Sequence, residues 1–593
     1  MKPNSTKIST VKSNALKLTT LALMAAMLSG AAQAQVKNPG VLSVLTIADW
    51  SSFDPAQCYD TACGEVLQNT METLYFPKPF DLVTEAAGSK ITFEPLLAAA
   101  MPVTSNGGKT VTIKLNPKAK FSDGSDVTAD DVKYSIARQL IESTDGGPAA
   151  LLLEPLIGAA DNIRKGGKVG FDEVDKSMTV KDKGTIVFNL AKPFAPFMSV
   201  LAHPATAIYS KAAAIKAGEW DGTKATWESF NNAPLASSKI GDTIVTASGP
   251  FVLQRYDKGS QVILKRNDKY WRAPAKLQTV VIKKVDEAAT AVQLIKTGDA
   301  DQTLVGSYPR NVAGQFGAIE GAKVIDNVST LVLQTLFMNF DIKDTAKLGS
   351  AKLDEKGIPA TFFADANVRR GFAASFDYQA MLKDQLQGKG IINNGVIPTT
   401  LPGYNPALKF KFDKVQATAF FKRAWGGKLW QTGFTVPIYW NSGNVNRQKA
   451  AEILKRGVES LNPKFHLDVR EAQFSAILAD AAAKRESMWM LGWQADYADP
   501  HNFAQPFLAS SGNYPQNTGY KNPAVDKLID QAVATTDPAA RASLYKRIAQ
   551  IGFVDVANVP IWQPVSYTVQ RDWVKGRVTN PLYSGDIYYY TSK

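Results

Sequence analysis

The segment Met490–Phe503, MLGWQADYADPHNF, joins an apolar run to a stretch dense in aromatic rings and carboxylates. The apolar residues Met488–Leu491 predict a buried strand, and strand ends are where α/β proteins commonly display binding groups. A carboxylate beside Trp and Tyr rings suits a ligand cation, because ring faces attract positive charge and a carboxylate accepts charge-assisted hydrogen bonds of ~1.5–3 kcal/mol. The segment equally fits a structural interpretation, in which Asp496 and Asp499 cap a helix and the rings belong to the core.

Strand and helix patterns alternate outward from this segment. Thr435–Tyr439 predicts a second buried strand, and a helical pattern around Gln448–Leu461 lies between the two. Nearer the start of the chain, Val111–Leu115 alternates apolar and polar residues as a half-buried strand does, and Thr128 can cap a helix with an acidic first turn. This order predicts α/β layers, and we find no repeat or flexible linker that would announce separate domains.

The composition excludes several classes of protein. The chain has 593 residues, 45% apolar and 20% charged, which argues against wholesale disorder and predicts about three to four folding units. The net charge of +13 comes from dispersed lysines, so nucleic-acid binding is not expected. Three histidines far apart predict no His-rich metal site. The sequence shows no nucleophile or phosphate-loop motif, and we therefore expect no enzyme activity and no cofactor.

Residues 1–34 have the features of a cleavable export signal. They contain four lysines and no acidic residue, an apolar run over Leu18–Leu28, and the small-x-small cleavage site Ala32-Gln33-Ala34. The apolar run is too short to span a ~30 Å hydrocarbon layer, although a membrane anchor is the alternative. No cysteine lies near the cleavage site, so we expect a soluble periplasmic protein that is not a lipoprotein.

Cys58 and Cys63 stand five residues apart in the stretch CYDTAC, and the chain has no other cysteine. Export places them in an oxidising compartment, where a small-loop disulfide can form and persist. Two buried thiols on one helix or turn fit the same spacing, so the sequence leaves both states open.

Short motifs in a fixed order carry a resemblance to a known family. They are Ser52–Pro55 (SFDP), Phe121–Gly124 (FSDG) running into Ala129–Val132 (ADDV), Ser248–Phe251 (SGPF), Arg266–Trp271 (RNDKYW), Gly298–Asp301 (GDAD), Val368–Phe372 (VRRGF) with Phe376-Asp377, and the segment Met490–Phe503. Together they resemble the extracytoplasmic solute-binding proteins of family 5. These proteins serve ABC importers of peptides, and sometimes of nickel, haem or sugars.

The resemblance implies a two-lobed α/β fold, the type II periplasmic binding protein with an extra subdomain, whose lobes close over a ligand about a hinge. It also implies the boundaries of the lobes and of the subdomain. After the signal at 1–34, the first lobe is expected at 35–74, 191–330 and 566–593, its extra subdomain at 75–190, and the second lobe at 331–565.

The resemblance further implies a function and a site. The protein would be a monomeric receptor that captures peptides and delivers them to the permease subunits of an ABC importer. In peptide-binding members the Asp matching Asp496 holds the ligand α-ammonium, and Trp493 and Tyr497 would wall the pocket. The other candidate ligand-binding residues lie at the end of the preceding predicted strand: Tyr439, Trp440 and Asn441. A nickel complex, haem, an opine-like amine or an oligosaccharide is the alternative ligand, and an exported hydrolase or chaperone is the alternative class.

The sequence departs from the family pattern where a ligand carboxylate would be held. Dipeptide receptors tend to carry an Arg after the strand matching Val436–Tyr439, where this chain reads Trp440-Asn441-Ser442-Gly443. Oligopeptide receptors can carry one just before the Gly-Trp element, where this chain has Met490 and Leu491. Arg447 is near and is expected to begin a helix. Carboxylate recognition and ligand length therefore stay open.

Overall fold

The computed structural model describes residues 36–85, 91–144, 147–159, 162–232, 234–442 and 444–593. The predicted export signal at 1–34 lies outside these ranges. Within them, every helix is too short or too polar to cross a membrane.

The first large sheet has seven strands and draws on both ends of the described chain. Its strands lie in the spatial order Ala322–Val328, Ser566–Arg571, Gln302–Thr303, Val41–Thr46, Thr279–Lys284, Gln261–Arg266 and Phe251–Asp257. The central strand Val41–Thr46 runs parallel to Thr279–Lys284, with Val44 opposite Ile282. Both residues are fully buried, as expected for a strand that is covered on its core face.

The second large sheet has six strands and contains both strands predicted around the opening segment. The order is Gly390–Ile392, Val559–Pro564, Val332–Met338, Met488–Gln494, Phe434–Asn441 and Phe465–Ala472. Phe434–Asn441 runs parallel to both Met488–Gln494 and Phe465–Ala472. The carboxyl ends of these three strands therefore lie at one edge of the sheet.

A smaller four-stranded sheet contributes to the same buried cluster as the first large sheet. Its strands lie in the order Val103–Ser105, Thr110–Lys114, Thr185–Asn189 and Met178–Asp182. Val111 and Ile186 belong to the same buried cluster as Val44, so the small sheet shares the core of the first lobe. Two short ladders complete the strands: Tyr75–Pro77 with Phe93–Pro95, and Phe80–Asp81 with Val578–Thr579.

Helices cover the sheets, and local sequence sets their ends. Those of six or more residues are Thr61–Thr70, Ala129–Glu142, Phe171–Lys176, Lys211–Ala217, Ala288–Thr297, Ala366–Ser375, Lys414–Arg423, Val445–Glu459, Phe474–Ala482, His501–Leu508, Asn513–Thr518, Pro523–Ala534 and Pro538–Asp555. Thr128 caps its helix as predicted, through a reciprocal capping box with Asp131. Gly298 ends Ala288–Thr297 in the left-handed conformation, at φ 71°.

The chain passes between the two large sheets twice, from Val328 to Val332 and from Pro564 to Ser566. Separate buried clusters surround the two sheets. The molecule therefore has a two-lobed α/β fold, in which we call the lobe of the seven-stranded sheet the first lobe and that of the six-stranded sheet the second lobe.

Candidate functional site

Asp496 lies just beyond the strand Met488–Gln494, and Asn502 holds it in place. The Asn502 Nδ2 donates a hydrogen bond to Asp496 Oδ2 at 2.9 Å. The Asn502 Oδ1 accepts from the Asp496 backbone N–H at 2.9 Å and from Trp493 Nε1 at 3.1 Å. Asn502 is itself buried in the first turn of His501–Leu508. One amide thus orients the carboxylate and the neighbouring indole ring without neutralising the charge.

The electrostatics of Asp496 favour a cation. Burial raises the pKa of this carboxyl group, and hydrogen bonds from Asn502 and from Tyr59 of the first lobe only partly oppose that effect. Asp496 forms no ion pair with any residue in the described ranges. A desolvated carboxylate that lacks a counter-charge gains most from a cation that enters its site.

The two predicted aromatic walls, Trp493 and Tyr497, take different places. The half-buried Trp493 ring meets Tyr514 edge-on, with centroids 6.0 Å apart. Tyr497 is buried in the core cluster of the first lobe although its backbone belongs to the second. Burial, together with the charges of Glu154 and Asp499, raises the pKa of Tyr497 far above its ordinary value. Tyr497 therefore lies where the lobes meet.

Asp499 has a structural role, as in the second interpretation of the segment Met490–Phe503. It accepts a hydrogen bond from the His501 backbone N–H at 2.8 Å and binds Arg541 through both oxygens, each at 2.6 Å. Its charge is thus neutralised within the second lobe. Asp496 differs, since its carboxylate accepts from side chains and has no cationic partner among the described residues. The structural interpretation thus fits Asp499, whereas binding of a ligand cation by Asp496 stays a prediction.

The remaining predicted site residues, Tyr439, Trp440 and Asn441, lie at the carboxyl end of the neighbouring strand Phe434–Asn441. The Tyr439 hydroxyl accepts a hydrogen bond from Arg470 at 3.2 Å, and the Lys347 ammonium lies 5.2 Å from its ring centre. Trp440 is buried. Asn441, at the carboxyl end of its strand, instead accepts a hydrogen bond from Arg447 at 2.7 Å.

Arg447 is a buried cation that sequence reasoning assigned only to a helix. It is 8% exposed, in the first turn of Val445–Glu459, and its Nε donates to Gln334 Oε1 at 3.0 Å. It forms no ion pair with any described carboxylate. Burial lowers the pKa of Arg447 to about 10. The signal in the sequence is an arginine in the first turn of a helix, where the helix dipole disfavours positive charge.

Arg447 and Asp496 are connected through the second sheet. Gln334, the partner of Arg447, lies directly opposite Gly492 across adjacent strands. The Tyr514 hydroxyl donates to the Gly492 carbonyl at 3.1 Å, and the Tyr514 ring meets Trp493. The chain then leaves the sheet and reaches Asp496 four residues later, at most about 13 Å further along an extended backbone. Arg447 and Asp496, neither of which is paired with an opposite charge among the described residues, therefore lie near the same strand end.

Comparison with known proteins identifies the family. The model of the "Bacterial extracellular solute-binding proteins, family 5 Middle" matches residues 92–515. The chain belongs to this family. The resemblance that rests on the short motifs from Ser52 to Phe503 is thereby confirmed.

Relatives of this family 5 protein are similar along nearly its whole length. The probable D,D-dipeptide-binding periplasmic protein DdpA of Escherichia coli is 27% identical over 578 residues, 96% of this chain and 97% of its own. The di/tripeptide-binding protein 4 of Pseudomonas aeruginosa is 26% identical over 579 residues, 94% and 96% of the two chains. A solved dipeptide-binding protein from Pseudoalteromonas sp. SM9913, in complex with Met-Leu, matches with a TM-score of 0.71 at 19% identity, covering 93% of this chain and all of the other. This likeness confirms the predicted fold.

One cluster of carboxylates in the described part of this family 5 protein has the spacing of a metal site. Asp54, Glu142 and Glu219 offer oxygens within 4.8 Å of one another. The Arg138 guanidinium, however, already binds all three, at 2.6 to 2.8 Å. Burial, only partly offset by the charge of Arg138, raises the pKa of Glu142 to about 8, so this carboxyl group holds a proton at neutral pH. Arginine thus supplies the positive charge that a cation would bring.

Proposed function

We propose that this family 5 protein is the receptor of an ABC importer and that it captures short peptides outside the cytoplasmic membrane. The observation that carries the proposal is Asp496, a desolvated carboxylate that has no counter-charge in the part of the chain that the structure describes and that a neutral amide, Asn502, holds in place. Peptides offer a matching α-ammonium group. The relatives named for D,D-dipeptides and for di/tripeptides support the same ligand class.

In this proposal the ligand ammonium binds Asp496 while the lobes close over it. Burying an ammonium group is costly unless it is paired, so a fixed carboxylate selects ligands with a free N-terminus. Trp493 covers one side of the site, and Tyr497 lies at the junction of the lobes. Ligand side chains would occupy wetter surroundings, which tolerate many sequences.

We further propose that Arg447 receives the anionic end of the ligand. Its guanidinium is oriented by two neutral amides, Gln334 and Asn441, and lacks a carboxylate partner in the described chain. The amino end of the helix Val445–Glu459 adds a favourable field for an anion at the same place. Arg447 and Asp496 together would select a zwitterion, which a peptide with two free ends is.

The rest of the proposal follows from capture and release. The export signal at 1–34 would be removed, leaving a periplasmic monomer without a lipid anchor that passes its ligand to permease subunits and performs no chemical step. The first lobe would comprise 35–74, 191–330 and 566–593 with the subdomain 75–190, and the second lobe 331–565.

Two measurements test the proposal. Mass spectrometry of material released from the purified, denatured protein identifies the ligand, and we expect peptides. Titration calorimetry on the refolded protein compares a tripeptide with its N-acetylated and C-amidated forms. We expect each modification to weaken binding roughly 10- to 100-fold, since each removes one charge-assisted contact of about 1.5–3 kcal/mol.

A matched pair of variants tests the amine anchor. Asp496→Asn should abolish peptide binding in a folded protein, whereas Asp384→Asn, on an exposed carboxylate of the second lobe, should leave it unchanged. Equal affinity of Asp496→Asn and wild type for a free tripeptide would contradict the proposal.

An opine-like amine is the second candidate ligand, because it also carries an amine and a carboxylate that Asp496 and Arg447 could bind. The released material distinguishes it from a peptide by mass.

A further inference from the structure

Two side chains from the loop that carries Asp496 are buried against the first lobe. Tyr497 belongs to the core cluster of that lobe. His501 is 1% exposed, and its ring meets the first-lobe residue Phe194 edge-on, with centroids 5.4 Å apart and the ring planes at 90°. The second-lobe loop with the proposed amine site is therefore inserted into the first lobe at two points.

Glu154 of the first lobe makes a polar contact with this loop. Its neighbour Leu153 belongs to the first-lobe core cluster, and its Oε2 lies 3.1 Å from His501 Nε2. Burial raises the pKa of Glu154, but the hydrogen bond and charge of His501, together with the nearby Lys192, lower it to about 2, so the carboxylate is ionised at neutral pH. An ionised carboxylate only accepts hydrogen bonds, and the histidine Nε2 is therefore the donor.

Further contacts join the same two surfaces of the lobes. The Lys192 ammonium, 3.1 Å from the Glu154 carboxylate, also lies 3.1 Å from Asp530 of the second-lobe helix Pro523–Ala534. The Ala195 backbone N–H donates to the carbonyl of Val533, in the same helix, at 3.0 Å. The histidine contact is thus one part of a continuous surface between the lobes.

The first-lobe segment that follows Lys192 is fixed by packing within its own lobe. The Phe197 ring meets a phenylalanine of the four-stranded sheet edge-on, with centroids 5.3 Å apart. Further along, the His203 ring meets Tyr59 edge-on, at 6.1 Å. Tyr59 lies inside the loop that the Cys58–Cys63 disulfide closes, and this bond decides between the two states that the cysteine spacing allowed. The first lobe therefore presents a firm surface to the loop of the second.

His501 is connected to the proposed amine site through its neighbour Asn502. Both residues lie in the first turn of the helix His501–Leu508, and Asn502 donates the hydrogen bond that orients Asp496. We propose that Glu154 is a positioning residue of the amine site. By holding His501, it fixes the turn from which Asn502 orients the carboxylate towards the ligand ammonium. This inference rests on the proposed function, because it assumes that Asp496 binds an amine.

This arrangement makes recognition of the amine depend on contact between the lobes. When the lobes separate, the histidine ring loses Glu154 and Phe194, so the turn behind the Asp496 carboxylate loses its first-lobe support. A ligand with a free amine would then benefit from closure in two ways, through burial and through a better oriented carboxylate. A ligand without the amine would benefit from burial only.

The ratio of the affinities for a free tripeptide and its N-acetylated form tests this role. Removing the Glu154 carboxylate weakens closure for both peptides, and the ratio cancels that common loss. We expect the ratio, roughly 10- to 100-fold in wild type, to fall about fivefold in Glu154→Ala, as measured by titration calorimetry. Asp530→Asn is the matched control, since it breaks a second cross-lobe ion pair but leaves the histidine contact in place. Its ratio should equal that of wild type.

A double-mutant cycle shows whether Glu154 acts through Asn502. In the Asn502→Ala background, Glu154→Ala should lower the ratio no further. A further fall of about fivefold would show that Glu154 acts elsewhere and would overturn the inference. If Glu154→Ala does not fold, Glu154→Gln, which keeps the side-chain volume, replaces it in both measurements, with an expected fall of about threefold.

The outcomes separate this inference from the proposed function. If wild type prefers the free tripeptide and Glu154→Ala keeps the full preference, the positioning role is wrong and the amine anchor stands, even where both affinities drop together. If wild type binds both peptides alike, the amine anchor and the inference are both wrong. A reduced ratio in Glu154→Ala, with Asp530→Asn unchanged, supports the inference.

Discussion

Replacing Arg447 by glutamine should affect ligand binding and stability in opposite directions. In the wild type a buried guanidinium is held by Gln334 and Asn441, with no carboxylate partner among the described residues. A residue that served only the fold would be expected to stabilise it. A residue whose role is to bind an anionic ligand should instead lower the free energy of unfolding of the protein without ligand.

The pKa of Arg447 sets the size of the stability effect. Burial lowers that pKa from 12.5 to about 10, which corresponds to a penalty of about 3 kcal/mol. Neutral pH lies below both values, so the penalty is fully present there. Arg447→Gln removes it but loses two hydrogen bonds, each worth about 1 kcal/mol. The free energy of unfolding without ligand should therefore rise by about 1 kcal/mol.

The effect of Arg447→Gln on ligand binding is measured with a pair of peptides. Loss of a charge-assisted contact of about 1.5–3 kcal/mol predicts roughly 10- to 100-fold weaker binding of a tripeptide with a free carboxylate. The C-amidated tripeptide should bind the variant and the wild type equally. Calorimetry gives the affinities and urea unfolding the stability, and Arg456→Gln on the exposed side of the same helix is the control.

One result would refute the reasoning about Arg447. If Arg447→Gln lowered the free energy of unfolding by more than about 2 kcal/mol and left both peptide affinities unchanged, the arginine would be a structural residue. The carboxylate of the ligand would then have to be held elsewhere.

Three further predictions follow from single contacts. Asn502→Ala should weaken binding of a free tripeptide about tenfold in calorimetry, because the Asp496 carboxylate loses its orienting donor. Wild type should lose stability as pH rises from about 4.5 to about 8, since burial keeps Glu142 protonated in the folded state, and Glu142→Gln should flatten this loss in urea unfolding. Burial raises the pKa of Glu154, but the hydrogen bond and charge of His501 from the second lobe help lower it to about 2. Glu154→Gln should therefore open the unliganded protein at pH 7, as measured by small-angle scattering. The difference in scattering between variant and wild type should vanish as pH falls from about 4.5 towards 2.

The strands and caps that the sequence predicted are those set by local rules. Met488–Gln494 and Phe434–Asn441 are buried apolar runs, and Thr128 and Gly298 have the residue types that begin and end helices. Boundaries differ by a few residues: the helix expected around Gln448–Leu461 begins at Val445 and ends at Glu459. Local propensity specifies an element more firmly than its exact ends.

The site was less accessible to sequence reasoning, because its contacts depend on register. Arg447 approaches the strand end only because Gln334 pairs opposite Gly492, and no local pattern contains that pairing. The aromatic run Tyr439-Trp440 illustrates the same limit, since adjacent residues of a strand point to opposite faces. Tyr439 lies between Lys347 and Arg470. Its predicted contact with ligand stays a prediction.

Charged groups in the described interior differ in their partners, and the difference bears on the proposed function. Some are paired with an opposite charge, as in Asp499–Arg541, Asp54–Arg138, Asp586–Arg577 and Asp301–Lys593. Arg369 is held instead by backbone carbonyls. Asp496 and Arg447 have only neutral hydrogen-bond partners among the described residues. Side-chain amides orient each charged group without cancelling its charge.

Both unpaired groups are displaced towards their neutral forms, since burial raises the pKa of Asp496 and lowers that of Arg447. A ligand that carries both opposite charges relieves both penalties at once, and one that carries a single charge relieves only one. Under the proposed function, the cleft would thus discriminate by the charges it leaves unpaired, which would select zwitterions without close contacts to ligand side chains.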